Sequence, residues 1–246
     1  MLVHGLGGDR GIWAPVLGAL ASSHDVIAVD LPGFGRSAAR PEDPPPAPVR
    51  RAGALAELLD ALALDRVHVA GNSLGGWVGL ELARLGRALS VCGIAPAGFW
   101  GRPLPPKPFV AHHVSRALRP VLRPAIHGSA RLRHRALTGV VGDPSRVPAA
   151  DAERIIRAYA DGPGFVAVNK AMRAAEPLRD RDGIDVPITI AWCELDRLVR
   201  PPRTMPFAVE RSVVLPGCGH VPMWDDPDAI AGIVRASADA TVNPAR

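Results

Sequence analysis

Aromatic residues make up only 4% of this 246-residue chain, with a single tyrosine. They do not interleave with the arginines, so a base-stacking surface for single-stranded nucleic acid is not expected. Cysteine is scarce as well. Cys92, Cys193 and Cys218 are odd in number and scattered, which speaks against a disulfide framework or a paired zinc site and for buried free thiols. Cys218 and His220 make half of a metal site at most, and no second ligand pair accompanies them, so no metal and no cofactor are expected. No run of 18 apolar residues occurs, so no membrane span is expected. The first residues lack the basic stretch and apolar core of a secretory signal, and a soluble cytoplasmic protein is the expectation.

Lysine is nearly absent too, almost all basic residues being arginine, and the net charge is +5. From Ala97 to Asp180 there are fourteen basic against six acidic residues, a net +8, whereas the rest of the chain has fifteen against eighteen, a net −3. The excess is local to the middle of the chain. It reads as a solvated basic face, with attraction of acidic substrates or a polyanion as the alternative.

Hydrophobic residues make up 48% of the chain, enough for a full core in one large domain or a domain with an insertion. "DVIAVD" (Asp25 to Asp30), "RVHVAG" (Arg66 to Gly71), "LSVCGIAP" (Leu89 to Pro96) and "VPITIAWC" (Val186 to Cys193) are short and nearly continuous in apolar character. Each reads as a buried strand of a parallel sheet, and "RSVVLPG" (Arg211 to Gly217) adds a fifth. Between them, Leu55, Leu58, Leu59 and Leu62 mark one face of a helix, and another runs from Leu74 to a stop at Gly86. Strands alternating with helices predict a right-handed α/β sheet. "PEDPPPAP" (Pro41 to Pro48) reads as a stiff surface loop.

The pattern changes between Pro96 and Glu176, where a turn-rich stretch leads into segments of helical character. "DAERIIRAYA" carries Asp151 as an expected N-cap, with Ile155, Ile156 and Tyr159 at helical spacing. The expected organisation is a core of residues 1–96 and 177–246, with residues 97–176 inserted as a helical cap. "MLVHGLGG" begins in what reads as the end of a strand, so the sheet is expected to lack N-terminal strands.

"GNSLGG" holds a G-x-S-x-G pattern around Ser73. Glycine is abundant, so the letters alone are weak, but the pattern follows an expected strand and opens an expected helix. A nucleophile elbow needs that context: glycines where the turn is tightest, an exposed serine, and a helix N-terminus facing the developing anion. A serine also needs a base. His220 stands after the last expected strand and Asp196 after the one before it, in the order Ser, Asp, His. Glu194 is the alternative acid, and Asp225, Asp226 and Asp228 are expected to cap the last helix. His4 and His68 are expected in structural roles, and His112, His113, His127 and His134 at the surface. For the oxyanion, the amide of Leu74 is one candidate donor, and "HGLGG" offers the other at Leu6, with Gly7 as the alternative.

"HGLGG", "DLPGFGRS", "GNSLGG", "ELD" and "GCGHVPMWDDP" span residues 4 to 227, and together they resemble the α/β-hydrolase fold family. The resemblance implies that Ser73 is acylated, that His220 is general base and then general acid, that Asp196 fixes the imidazole, and that the cap builds much of the substrate pocket. Relatives usually have two antiparallel strands and most of a third before their "HG" turn. Either the chain starts at an internal methionine of a longer frame or an exposed sheet edge is tolerated, which would invite aggregation or a homodimer. The dehalogenase and epoxide-hydrolase branches carry Asp at the Ser73 position. The expected activity is hydrolysis of a small carboxylic ester or related acyl substrate. Carbon-carbon bond hydrolysis of ring-fission products is the alternative within the enzyme class, although Val221 stands where those enzymes often have an aromatic residue. An inactive binding protein on the same fold is the alternative outside it.

Overall fold

The computed structural model describes residues 1–39, 48–105 and 110–240, without the side chains of residues 119, 122 and 123. Among the described residues six strands make one sheet: β1 (Leu2–Val3), β2 (Ala28–Val29), β3 (Val67–Asn72), β4 (Ala88–Ile94), β5 (Ile188–Cys193) and β6 (Arg211–Leu215). Their spatial order is β2-β1-β3-β4-β5-β6, and every neighbouring pair is parallel. The three long central strands are those with near-continuous apolar runs, and β5 is buried along its whole length. A parallel strand covered by helices on both faces has no polar side to show.

The edges depart from the sequence expectation. The strand expected over Asp25 to Asp30 shrinks to Ala28–Val29, because its partner β1 offers only Leu2 and Val3 for pairing. At the other edge β6 is largely exposed, Val214 included.

Helices α1 (Ala14–Ala21) and α8 (Pro227–Asp239) pack on one face, and α2 (Pro48–Ala61) and α3 (Leu74–Arg84) on the other. The alternation of side chains along the strands feeds two cores. Val91 and Ile190 join Leu55, Leu59 and Leu80 in one, whereas Cys92 and Ala191 join Trp13, Val16 and Ile230 in the other. In α2, Leu55 and Leu59 are buried as expected, but Leu62 lies one residue past the helix end and is exposed. The proline-rich loop lies outside the described residues except for Pro48, which opens α2. All three cysteines are free and buried, and burial pushes their thiols up, Cys92 to about 12 and Cys218 to about 11.

Between β4 and β5 lie α4 (Val110–Gly128), α5 (Ala130–Leu137), α6 (Ala149–Asp161) and α7 (Phe165–Ala174). These helices meet the C-terminal ends of the strands, where the connecting loops gather. The amide of Gly164 donates to the Gly33 carbonyl beyond β2 at 3.1 Å, and that of Val221 beyond β6 donates to Val140 at 2.8 Å. Helix α6 begins at Ala149, two residues before the expected cap. Asp151 instead sits in the first turn, where it pairs with Arg154 at 3.0 Å and accepts from the Trp224 indole at 3.4 Å.

Candidate active site

Ser73 occupies the junction of β3 and α3 with φ 53° and ψ −117°. Such a backbone costs a non-glycine residue about 1–3 kcal/mol and persists only where its surroundings force it. Here they do. A Cβ at Gly71 would lie 2.2 Å from the carbonyl carbon and oxygen of Gly75, one at Gly75 would lie 2.2 Å from the Val3 carbonyl oxygen, and one at Gly76 would meet Pro96 at 2.8 Å. Strand, helix and neighbouring loop thus approach too closely for a side chain at any of these three glycines, and the chain turns sharply at Ser73 between them. Backbone hydrogen bonds pin the turn, from Ser73 N to Ile94 O at 2.9 Å and from Ala97 N to Ser73 O at 3.0 Å.

His220 lies on the loop after β6, and its Nδ1 is 2.7 Å from Asp196 Oδ2, both side chains being buried. The other oxygen of Asp196 accepts from the amides of Leu198 at 2.7 Å and Val199 at 3.0 Å. Those bonds fix the carboxylate in the rotamer that faces the imidazole. Glu194, the alternative acid, points elsewhere and accepts from Gly217 N at 2.8 Å. Asn72 ties the histidine loop to the elbow: its Nδ2 donates 2.8 Å to the His220 carbonyl and 3.2 Å to that of Ile94.

The glycine turn after β1 lies against the elbow, since a Cβ at Gly5 would come 3.1 Å from Ser73 Cβ. Gly7 has φ 75°, and a Cβ there would meet Tyr159 at 3.0 Å and Phe165 at 3.1 Å. Among the described residues, the amides of Leu6, Gly7 and Leu74 donate to no protein acceptor. His4 braces this turn. Its Nε2 accepts from Leu31 N at 3.0 Å, so its Nδ1 carries the proton donated to Gly5 O at 2.7 Å, and burial lowers its pKa. His68 pairs with the hydroxyl of Ser90 at 2.9 Å.

Two expectations need correction. Asp226 caps α8 through Ala229 N and Asp228 sits in its first turn, but Asp225 is buried and accepts from the amides of Gly142 at 2.7 Å, Asp143 at 2.9 Å and Gly219 at 2.9 Å. It joins the histidine loop to the segment after α5. Three amides around one carboxylate form a fixed anion cradle, and "DDP" in the sequence gives no sign of which aspartate caps and which clamps. His113, His127 and His134 are exposed as expected, but His112 is buried. Its ring stacks on Phe165 at 4.4 Å and 14°, with Tyr159 edge-on at 5.5 Å, so it backs the two rings that roof the turn at Gly7. Burial lowers the His112 pKa. Asn72 has a signal in the sequence, a polar residue at the buried end of an apolar strand.

The sequence profile described as "Alpha/beta hydrolase family" matches residues 1–233. The chain belongs to the alpha/beta hydrolase family. Among its relatives, the epoxide hydrolase EphH of Mycobacterium tuberculosis is 36% identical over 192 residues, covering 72% of this chain and 88% of that protein. The putative carbamate hydrolase RutD of Azorhizobium caulinodans is 41% identical over 83 residues, but this match spans 34% of this chain and 31% of that protein. A thermophilic esterase from Thermogutta terrifontis shares the fold with a TM-score of 0.69 at 22% identity, over 98% of this chain and 89% of its own. As an alpha/beta hydrolase, the protein has a six-stranded parallel sheet that fits the family, and it is a hydrolase.

Proposed function

We propose that the protein hydrolyses a carboxylic ester or a related acyl substrate through an acyl-serine intermediate. The hydrogen bond from His220 Nδ1 to Asp196 Oδ2, on a loop bonded through Asn72 to the nucleophile turn, carries this reading. With Nδ1–H donated to the carboxylate, Nε2 is the basic nitrogen. It takes the proton of Ser73 Oγ as that oxygen attacks the substrate carbonyl. The tetrahedral oxyanion is held by the amides of Leu74 and Leu6, with Gly7 as the alternative, and amides without a protein acceptor suit that task. Collapse expels the alcohol with the proton from His220. Water then gives its proton to His220 and attacks the acyl carbon, and as the acid leaves His220 returns that proton to Ser73 Oγ.

Residues 97–176 act in this scheme as the cap, since Tyr159 and Phe165 cover the turn that bears the oxyanion amides. Epoxide hydrolysis, the activity in the name of the EphH relative, fits the chemistry of Ser73 poorly. A serine that opens an epoxide becomes an ether, which water cannot cleave as it cleaves an ester, so the enzyme would be consumed. A fluorophosphonate probe tests the proposal. The folded protein should carry one adduct at Ser73 by peptide mass spectrometry and lose esterase turnover in parallel, whereas Ser73→Ala should stay unlabelled. Folded protein without an adduct would overturn the acyl-serine mechanism.

A further inference from the structure

Helix α4 wears its apolar residues on the outside. Val110, Val114, Leu118 and Val121 are 63%, 48%, 49% and 69% exposed. At the angular step of an α-helix they fall within an arc of about 80°. The face that packs inward holds His112 and Ile126, both buried. A helix on a water-exposed surface ordinarily turns its apolar stripe to the core and its polar residues to solvent. Here a histidine is inside and a row of valine and leucine is outside. Scattered exposed apolar residues need no account, but four in register on one helix mark a contact surface. Leu132 on the adjoining α5 is exposed as well.

The charge around this stripe restricts what can cover it. Between Glu81 and Asp143 the sequence has no acidic residue and ten Lys and Arg. Arg116 on α4 and Arg131 and Arg135 on α5 are exposed and form no ion pair among the described residues. A second copy docking through the same face would set this acid-free segment against itself, because a two-fold interface repeats one patch on both sides. The stripe therefore fits a partner that is both apolar and anionic.

We propose that α4 docks the protein on an anionic lipid surface. Val110, Val114, Leu118 and Val121 enter the boundary between headgroups and acyl chains, and Arg116, Arg131 and Arg135 supply attraction to lipid phosphates. No helix among the described residues is long and apolar enough to cross a membrane, so the helix lies along the surface. Through His112 it rests on Phe165 and Tyr159, the rings that roof the turn beside Ser73. Docking would thus bring the roof of the site to the lipid boundary, whichever bond the site cleaves.

Vesicle flotation of the full chain, in the Ser73→Ala background to keep the lipids intact, tests this. The protein should float with phosphatidylcholine vesicles containing about 30% phosphatidylglycerol, float less with phosphatidylcholine alone, and be released in part by about 0.5 M salt. The double change Val114→Glu with Leu118→Glu, at exposed positions outside the site, should lower partitioning by about tenfold or more with an unchanged melting temperature. Absence of flotation with the anionic vesicles would overturn the proposal, as would equal flotation of the double variant. A dimer in sedimentation velocity that the double variant loses, without flotation, would assign the stripe to a second copy instead.

Discussion

The side-chain amide of Asn72 donates a 2.8 Å hydrogen bond to the backbone carbonyl of His220, across 148 positions of sequence. One bond thereby ties the turn at Ser73 to the loop that carries His220, the proposed nucleophile and base. Asn72→Ala leaves a buried carbonyl without its donor, at a cost of about 1–3 kcal/mol in stability. Its kinetic effect should fall on kcat, with KM nearly unchanged, because the substrate pocket is untouched while the imidazole loses its anchor. Equal changes in kcat and KM would assign Asn72 to substrate binding.

Asp196→Asn should lower kcat by about 10³–10⁴-fold with the fold intact, since an amide no longer enforces the Nδ1–H tautomer of His220. Glu194→Gln should change turnover less than about tenfold, because the Glu194 carboxylate accepts from the Gly217 amide and not from His220. Steady-state rates on a chromogenic ester distinguish the two acids.

Ser73→Gly should abolish turnover and leave the protein at least as stable as the wild type. Glycine adopts φ 53° without strain, which relieves about 1–3 kcal/mol and outweighs the roughly 0.5–1 kcal/mol that its unfolded-state entropy costs. For a chain of this size each kcal/mol moves the melting temperature by about 2–4 °C. A marked drop in melting temperature would show that the elbow is not strained.

Burial holds the pKa values of His4 and His112 below 6.5. The unfolded chain therefore binds protons that the folded protein refuses. Stability is complete above about pH 6.5 and falls as the pH drops toward the lowered folded values. His112→Phe keeps a ring against Phe165 and removes one of these groups, so its stability should fall less steeply between pH 7 and pH 5 in denaturant titrations. An identical slope would count against a buried neutral His112.

Much of the fold is legible in the chain because its central strands are buried on both faces. Ile188 to Cys193 has no polar alternation to misread, and Leu74 follows Ser73 at the point where strand gives way to helix. The pairing of Asp196 with His220 is legible as well, each standing just past a strand end. What escapes the sequence depends on what lies opposite. Two residues of β1 decide the length of β2, three amides from distant loops decide that Asp225 is a clamp, and the rings of Tyr159 and Phe165 decide that His112 is buried. Local pattern carries no record of such partners. Leu62 misleads for a simpler reason: its spacing is helical, but the helix has already ended.

The backbone contacts at Gly71, Gly75 and Gly76 carry a further consequence. They forbid a Cβ at three positions around the turn, yet place no such demand on residue 73, whose side chain projects from a backbone held by its neighbours. Position 73 is a socket with a fixed orientation. Serine, cysteine or aspartate would each project its side chain from the same Cα, whereas a Cβ at any of the three glycines around it would collide with its neighbours.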